Sequence, residues 1–389
     1  MLYIGIDVAK NKHDCCILNS VGKELSCFTF ANDRIGFEEL IAIIESFGTL
    51  EDSKIGLEST GHYSTNIANY LLQKRLCVKI FNPLQIQMMR KASTLRKTKT
   101  DKSDSKFLAS ILFSDSSKPY QIPVYPFSEL KTLTRNRHRL VALRTKLKIS
   151  VSRLITVLFP ELPSAVWSVN QKSTYAMLLE FPTAKAIANA HLTRLTNVLS
   201  DNSHGKYTKD KALQIRNLAA QSIGLDSRAT GFELQQTIRL IQNLQGEIDI
   251  LDSEIKSIMK EIDSPILTIP GIGYILGAII LAEIGNVENF DNHGKLLAFA
   301  GLEPSTYQSG NFTATKTPMV KHGSSYLRWA LLQASRLVAY RDDTFGRYYA
   351  KKSAEGKHYF VVLSHVAKKL VRVIFHLMKR GETFAPQTA

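Results

Sequence analysis

The first ninety residues change their hydrophobic period several times, and that succession restricts the fold more than any other feature. Residues 2–8 (LYIGIDV), 14–19 (DCCILN) and 24–30 (ELSCFTF) read as three strands separated by short polar turns, with Asn19-Ser20-Val21-Gly22 as a hairpin connection. A segment of helical period follows from about Phe37 to Phe47. Then come strand Lys54–Leu57, helix Tyr63–Leu76, strand Val78–Phe81 and helix Pro83–Ala92. Three strands followed by alternating helix and strand call for an α/β layer with a mixed sheet.

A Ser/Pro-rich stretch, 113–128, reads as a linker, and beyond it the pattern turns helical. From Lys131 to Arg153 there are eight Lys or Arg and no acidic residue, interleaved with Leu133, Leu140, Leu143 and Leu147. Solvated helix faces usually mix signs, so a one-signed run favours contact with a nucleic-acid backbone. The segment 160–230 shows no feature that assigns it a role. After it, Leu234, Ile241, Leu244, Ile248, Leu251, Ile255, Ile258 and Ile262 form a heptad seam with one gap, at Thr237. That seam fits a partner helix in this chain or in another, and the sequence does not choose. From Ser264 a compact helical domain begins, in which Pro270-Gly271-Ile272-Gly273 lies between apolar stretches. Such a turn suits either phosphate contact through backbone N–H groups or a plain packing corner.

Composition narrows the function classes. Lys plus Arg number 50 against 34 Asp plus Glu, a net charge of +16 over 389 residues, which points to an anionic partner and above all to nucleic acid. The longest apolar run, Ile275 to Ala282, is far below the roughly 20 residues of a membrane span. The opening MLYIGIDVAK is strand-like and not a secretory leader, so a cytoplasmic location without membrane association is expected. Cys15, Cys16, Cys27 and Cys77 show no CxxC pairing and are expected to be buried reduced thiols.

In so basic a chain the carboxylates at strand ends stand out. Asp7 ends the first strand in Ile4-Gly5-Ile6-Asp7, and Glu58 ends the fourth in Ile55-Gly56-Leu57-Glu58. Asp101 and Asp104, three apart, would share one side of a helix, ringed by Arg96, Lys97, Lys99, Lys102 and Lys106. Each acid alone is more simply a cap or a surface residue. Four together fit hard-oxygen ligation of divalent cations for phosphoryl displacement.

The patterns GIDVAK (5–10), ESTG (58–61) and KTDKSDSKFLA (99–109) resemble the RuvC-like DEDD domain of the "one-ten" family of insertion-sequence transposases, relatives of the pilin-gene invertases. The stretches IPGIG (269–273), FAGLEPSTYQSG (299–310) and KHGSSYLRWALLQA (321–334) resemble that family's second domain. The resemblance implies an α/β plus all-α chain: an RNase H-like mixed-sheet domain at 1–125, a basic helical and coiled-coil middle at 126–263, and a helical transposase domain with a helix-hairpin-helix-like turn at 264–389. It implies Mg²⁺ held by Asp7, Glu58, Asp101 and Asp104, with Ser309 as nucleophile on a DNA phosphate. It further implies double-stranded DNA as substrate, a noncoding bridge RNA from the element as guide, and a dimer or tetramer whose composite site brings carboxylates and serine together across protomers. Candidate nucleic-acid contacts are Arg96, Lys97, Lys99, Arg135, Arg137, Arg139, Arg144, Gly271, Gly273 and Lys321. Ser105 departs from the Ala common in the family and is too small to disturb the neighbouring acids.

Other readings make different demands. A junction-resolving Mg²⁺ nuclease would use the four acids and water and would not need Ser309. A sugar-kinase-like ATPase would need further Gly-rich phosphate loops, which the sequence lacks. A binding protein with a dead site would not need four intact acids.

Overall fold

The computed structural model describes residues 1–59, 61–93, 100–115, 119, 125–305, 308–309, 312–313 and 317–386, with the backbone alone at Asp101, Ser309, Phe312 and Thr313. The chain divides into two compact units, Met1–Pro123 and Val124–Ala389.

The first unit is the expected α/β layer. Strands β1 (Leu2–Val8), β2 (Lys12–Leu18), β3 (Glu24–Ala31), β4 (Ser53–Glu58) and β5 (Cys77–Phe81) form one sheet in the order β3-β2-β1-β4-β5. β1, β2 and β3 pair antiparallel, while β4 and β5 join parallel to β1, so the sheet is mixed. Helices α1 (Arg34–Phe47) and α2 (Ser64–Gln73) supply the parallel crossovers, and α3 (Pro83–Ser93) and α4 (Asp101–Ile111) follow β5. β1 is central and nearly fully buried, which is why it reads as an almost continuous apolar run. α1 starts on Asp33, whose side chain accepts from Gly36 N, and seals the sheet with Phe37, Leu40, Ile41 and Ile44.

One expectation is corrected here. Cys15 and Cys77 are free thiols, but Cys16 and Cys27 are joined as a disulfide. They are direct cross-strand partners in the β2–β3 register, with Cα atoms 4.2 Å apart, a proximity that no sequence motif announces.

The second unit is helical and hangs on two long helices, α5 (Phe127–Leu158) and α11 (Arg228–Ile262). Between them run α6 (Leu162–Ala165), α7 (Lys172–Glu180), α8 (Ala184–Ala188), α9 (Leu192–Asp201) and α10 (Lys209–Ala220). After them come α12 (Tyr274–Ile284), α13 (His293–Phe299), a hairpin of β6 (Gln308–Ser309) and β7 (Phe312–Thr313), and helices α14 (Ser325–Arg341), α15 (Asp343–Ala354) and α16 (Tyr359–Arg380). The heptad seam of α11 packs on α5 of the same chain in antiparallel sense. Arg137 bonds Asp252, Arg144 bonds Gln245 and Arg153 bonds Glu233, residues that rise on one helix as they fall on the other. Thr237, the gap in the seam, is buried too, its hydroxyl donating to the carbonyl of Glu233. The stretch 160–230, silent in sequence, is a packed lobe whose core includes Phe159, Leu162, Met177, Leu195 and Ile215. A separate core at the other end of the long helices gathers Ile255, Met259, Ile280, Leu331, Val366 and Leu370. Among the described residues no helix is long and apolar enough to cross a membrane.

His13 lies fully buried in the first unit against Phe30 and Phe37. Burial lowers its pKa from the ordinary 6.5, outweighing the opposing effects of Asn32 and Asp14. The unfolded chain therefore binds the proton first as pH falls through about 6.5, and stability is lost progressively below that pH. Thermal melting should show the first unit losing stability between about pH 7 and 5.5, and His13→Phe should flatten that dependence.

Candidate active site

In the first unit, β1 and β4 run side by side with Gly5 opposite Gly56 and Ile6 opposite Leu57. Asp7 and Glu58 are the next residues of that register, at the carboxyl ends of two adjacent parallel strands about 4.8 Å apart. Side chains alternate along a strand, so Tyr3, Gly5 and Asp7 share a face, as do Lys54, Gly56 and Glu58. α4 covers that face antiparallel to β1. Tyr3 stacks on Phe113 beyond the end of α4, at 4.1 Å between ring centroids. A Cβ on Gly5 would fall 2.0 Å from the Ser105 carbonyl oxygen and 2.3 Å from Ala109 N, and one on Gly56 would fall 3.4 Å from the Leu108 carbonyl. Continuing that course, the amino end of α4, with Asp101 and Asp104, lies toward the Asp7 end of β1.

Local chemistry fixes α4 in this place. Thr100 caps it in a capping box with Ser103, each side chain accepting from the other's backbone N–H. Asp104, buried, accepts from Arg90 Nη1 at 2.6 Å and from the Ser103 hydroxyl at 3.1 Å. Arg90 also lies 5.1 Å over the Phe107 ring. Past the far end of α4, Lys79 and Asp115 form a buried ion pair at 3.2 Å. Ser105 is wholly buried against Gly5, its hydroxyl donating to the Lys102 carbonyl.

Two residues here escape sequence reading. Asp14 is the cross-strand partner of Asp7 and accepts from the Thr29 hydroxyl at 2.6 Å, which makes it a fifth carboxylate at this end of the sheet. Arg90, fourteen residues before Asp104, brings a cation to the cluster. Only the β1–β2 register and the placing of α3 reveal them. Among the described residues the trio of His, Cys, Asp or Glu whose ligand atoms all lie within 4.8 Å of one another is Cys16, Glu24 and Cys27; Asp7, Asp14, Glu58 and Asp104 supply no such trio, and Arg90 holds Asp104. Arg96, Lys97 and Lys99 lie outside the described residues.

In the second unit Ser309 sits at the end of a β-hairpin. Its cross-strand partner is Phe312, and Gln308 pairs with Thr313. The hairpin's base is a further ladder: Pro304 bridges Met319, Ser305 N donates to the Pro318 carbonyl and Val320 N to the Glu303 carbonyl. Arg328 staples the neck, donating from Nη1 to the carbonyls of Ala300 (3.4 Å) and Lys321 (3.2 Å). Gly301 and Gly323 make this neck possible. Both have positive φ, +66° and +113°, and a Cβ on Gly323 would fall 2.1 Å from the Phe299 carbonyl oxygen.

Below the neck, Glu283 of α12 is buried. It receives a bidentate pair from Arg135 at 2.7 and 3.0 Å and the Ser324 hydroxyl at 2.8 Å. Burial alone would raise the Glu283 pKa, but hydrogen bonds from Arg135 and Ser324, with the charges of Arg135 and Lys131, hold it below the usual range. Ser324 also caps α14, so the knot joins α5, α12 and the helix that follows the hairpin. Thus Arg135, Arg137 and Arg144 all have partners inside the protein, whereas Arg139 is exposed and among the described residues reaches only Asn136, one turn earlier. Lys321 is exposed with φ +58°. Gly271, with φ +101°, packs against the backbone of α14, where a Cβ would stand 2.9 Å from the Leu337 carbonyl carbon. With Gly273 it borders a shallow cavity of about 390 Å³ shared with Lys256, Tyr274 and Leu337.

Comparison with known proteins places these features in one family. Residues 4–160 match a DEDD transposase model of the IS110 type, described as "Transposase", and residues 263–350 match "Transposase IS116/IS110/IS902 family". The chain belongs to the IS110/IS116/IS902 family of transposases. It is 24% identical over 397 residues to the "Insertion element IS116 uncharacterized 44.8 kDa protein" of Streptomyces clavuligerus, covering 99% of this chain and 96% of that one. It is 24% identical over 384 residues to the "Pilin gene-inverting protein" of Moraxella bovis, covering 98% and 97%. A shorter likeness, 28% over 123 residues (31% of this chain and 33% of the other), joins it to the "Transposase for insertion sequence element IS1111A" of Coxiella burnetii. The first match spans the sheet from Ile4 onward, α4 and Arg135, and the second spans Glu283, Ser324, the hairpin and Arg328.

Gly5→Ala should displace α4 or unseat the end of β1. In urea titration it should cost roughly 1–3 kcal/mol or more and reduce any Mg²⁺-dependent stabilisation. Arg135→Ala should cost about 3 kcal/mol, because it strands the buried Glu283. Arg139→Ala should stay within about 0.5 kcal/mol of wild type in the same titration.

Proposed function

We propose that this transposase cuts and rejoins the DNA of its insertion sequence through a serine–phosphate intermediate. The reading is supported by the placing of Asp7 and Glu58 at the ends of two adjacent parallel strands, under a helix held there by glycine contacts and ion pairs. That arrangement supports an RNase H-like domain. Asp7, Glu58, Asp101 and Asp104 would hold Mg²⁺, which when bound would stabilise charge on phosphate oxygens. Asp14, hydrogen-bonded to Thr29, would add negative charge beside Asp7.

Ser309 is proposed as the nucleophile. Its hydroxyl gives up a proton as its oxygen forms a bond to phosphorus, and the phosphorus–oxygen bond to the departing strand breaks. The departing strand's oxygen takes up a proton. In the reverse direction a strand hydroxyl attacks the serine phosphate and frees Ser309, so the backbone is resealed without an external energy source. A nucleophile at the end of a stapled hairpin is well suited to this work, because the neck limits the positions the attacking oxygen samples. The full-length likeness to a pilin gene-inverting protein supports rejoining as well as cutting. Exposed Arg139 and Lys321, together with Arg96, Lys97 and Lys99, are proposed to contact nucleic acid. Site choice is proposed to be delegated to an element-derived guide RNA, and the working form is proposed to be a homo-oligomer.

The test is covalent trapping. Protein, element-derived RNA and labelled element-end DNA are mixed with Mg²⁺ and run on denaturing gels, beside Ser309→Ala and Asp7→Ala. A DNA-linked protein band lost in both variants is the expected result. Free nicked DNA without an adduct, persisting in Ser309→Ala, would instead identify a nuclease that uses water.

A further inference from the structure

The last helix, α16, buries one side through Val362, Val366, Leu370 and Ile374. Its other side carries Val361, His365, Lys368 and Arg372, whose spacing of four, three and four residues lines them up along the helix. Lys352, near the end of α15, and Lys357, in the turn after it, lie beside the first part of this row. His365 reports the convergence: burial first, and then the charges of Lys368, Lys352 and Lys357, lower its pKa.

Negative groups are few. Glu355 bonds both Lys352 and Lys357. Lys368 feels Glu303, the residue that pairs with Val320 at the base of the Ser309 hairpin. Neither Lys368 nor Arg372 forms a hydrogen bond or a close ion pair among the described residues, and Arg372 is exposed. Lys368 therefore lies within electrostatic range of the hairpin base, and the row leaves two cations for an outside anion.

We propose that this row, centred on Lys368 and Arg372, holds one phosphate backbone of duplex DNA beside the hairpin. Lys368 and Arg372 stand about 6 Å apart at 1.5 Å per residue, so each can meet its own phosphate on one strand. Two cations on one side of a rigid helix can neutralise phosphates of a backbone and read no bases. The sequence offered the Lys/Arg-rich run of α5 for this role, but much of that run is occupied by Glu283, Asp252 and Gln245. The proposal rests on the DNA-processing reading above, but its test does not need Ser309 to react.

The experiment measures the binding of the full chain to a labelled DNA duplex across a salt series, by fluorescence anisotropy. Lys368→Gln/Arg372→Gln should bind more weakly, and its plot of log K against log salt should be shallower by about 1.8, at about 0.9 for each phosphate no longer neutralised. Arg372→Gln alone should lower the slope by about 0.9, and it carries the test if the double variant melts earlier than wild type. Lys206→Gln, an exposed charge on the far lobe, should leave the slope unchanged, and Ser309→Ala should keep the wild-type slope. An unchanged slope in the α16 variants would overturn the proposal. So would an equal change in Lys206→Gln, or a weakening seen with duplex RNA or anionic vesicles but not with DNA. If wild type forms no covalent adduct yet the slopes change as expected, the serine reading fails and the cradle stands.

Discussion

The distance between α4 and the sheet governs what the first unit can do. Two glycines, one on each central parallel strand, remove the side chains that would hold the helix away. Ser105 and Ala109 do the same from the helix side. The helix backbone rests almost directly on β1 and β4, and its amino end is brought to the end of the strands that bear Asp7 and Glu58. Close packing here is positional as well as stabilising, because it sets how near the amino end of α4 comes to the strand ends. The ion pairs Arg90–Asp104 and Lys79–Asp115 secure opposite ends of α4, so it resists both tilting and sliding.

The second unit follows a different rule, in which buried charge orders the helices. Glu283 lies on a helix that is otherwise apolar all round, and burying it demands a guanidinium and a hydroxyl in good geometry. Meeting that demand fixes α5 against α12 and sets the first turn of α14 through its own cap. The hairpin enters and leaves beside this knot, so its neck starts from a rigid floor. Arg328 then closes the neck by bonding two backbone carbonyls, which ties it to chain geometry and leaves the hairpin's side chains free to differ.

Much of this was readable in the residues. The five strands follow from period and turn chemistry, and the strand-end carboxylates from their rarity in a basic chain. The seam of α11 was legible as a seam, but its partner was not, because α5 reads as a charged helix whose Leu spacing is diluted by arginines. Those arginines look like a nucleic-acid face until the fold supplies Asp252, Gln245 and Glu283 from more than a hundred residues away. Asp14 and the Cys16–Cys27 pair were hidden for a related reason, since cross-strand neighbours appear only once the register is set. The lobe at 160–230 stayed silent because its helices are short and its core is assembled from single residues on each of them.

That lobe lies almost entirely outside both family matches, which end at 160 and resume at 263, yet it closes around its own core. α5 and α11 carry one core near each end, and at about 48 and 52 Å long they act as paired beams between the two. Substitutions in the lobe are absorbed at its own end of the beams, while the residues that grip α12, α14 and α16 belong to the other. The molecule is thus built so that a change at one end of the beams need not disturb the end that bears the serine.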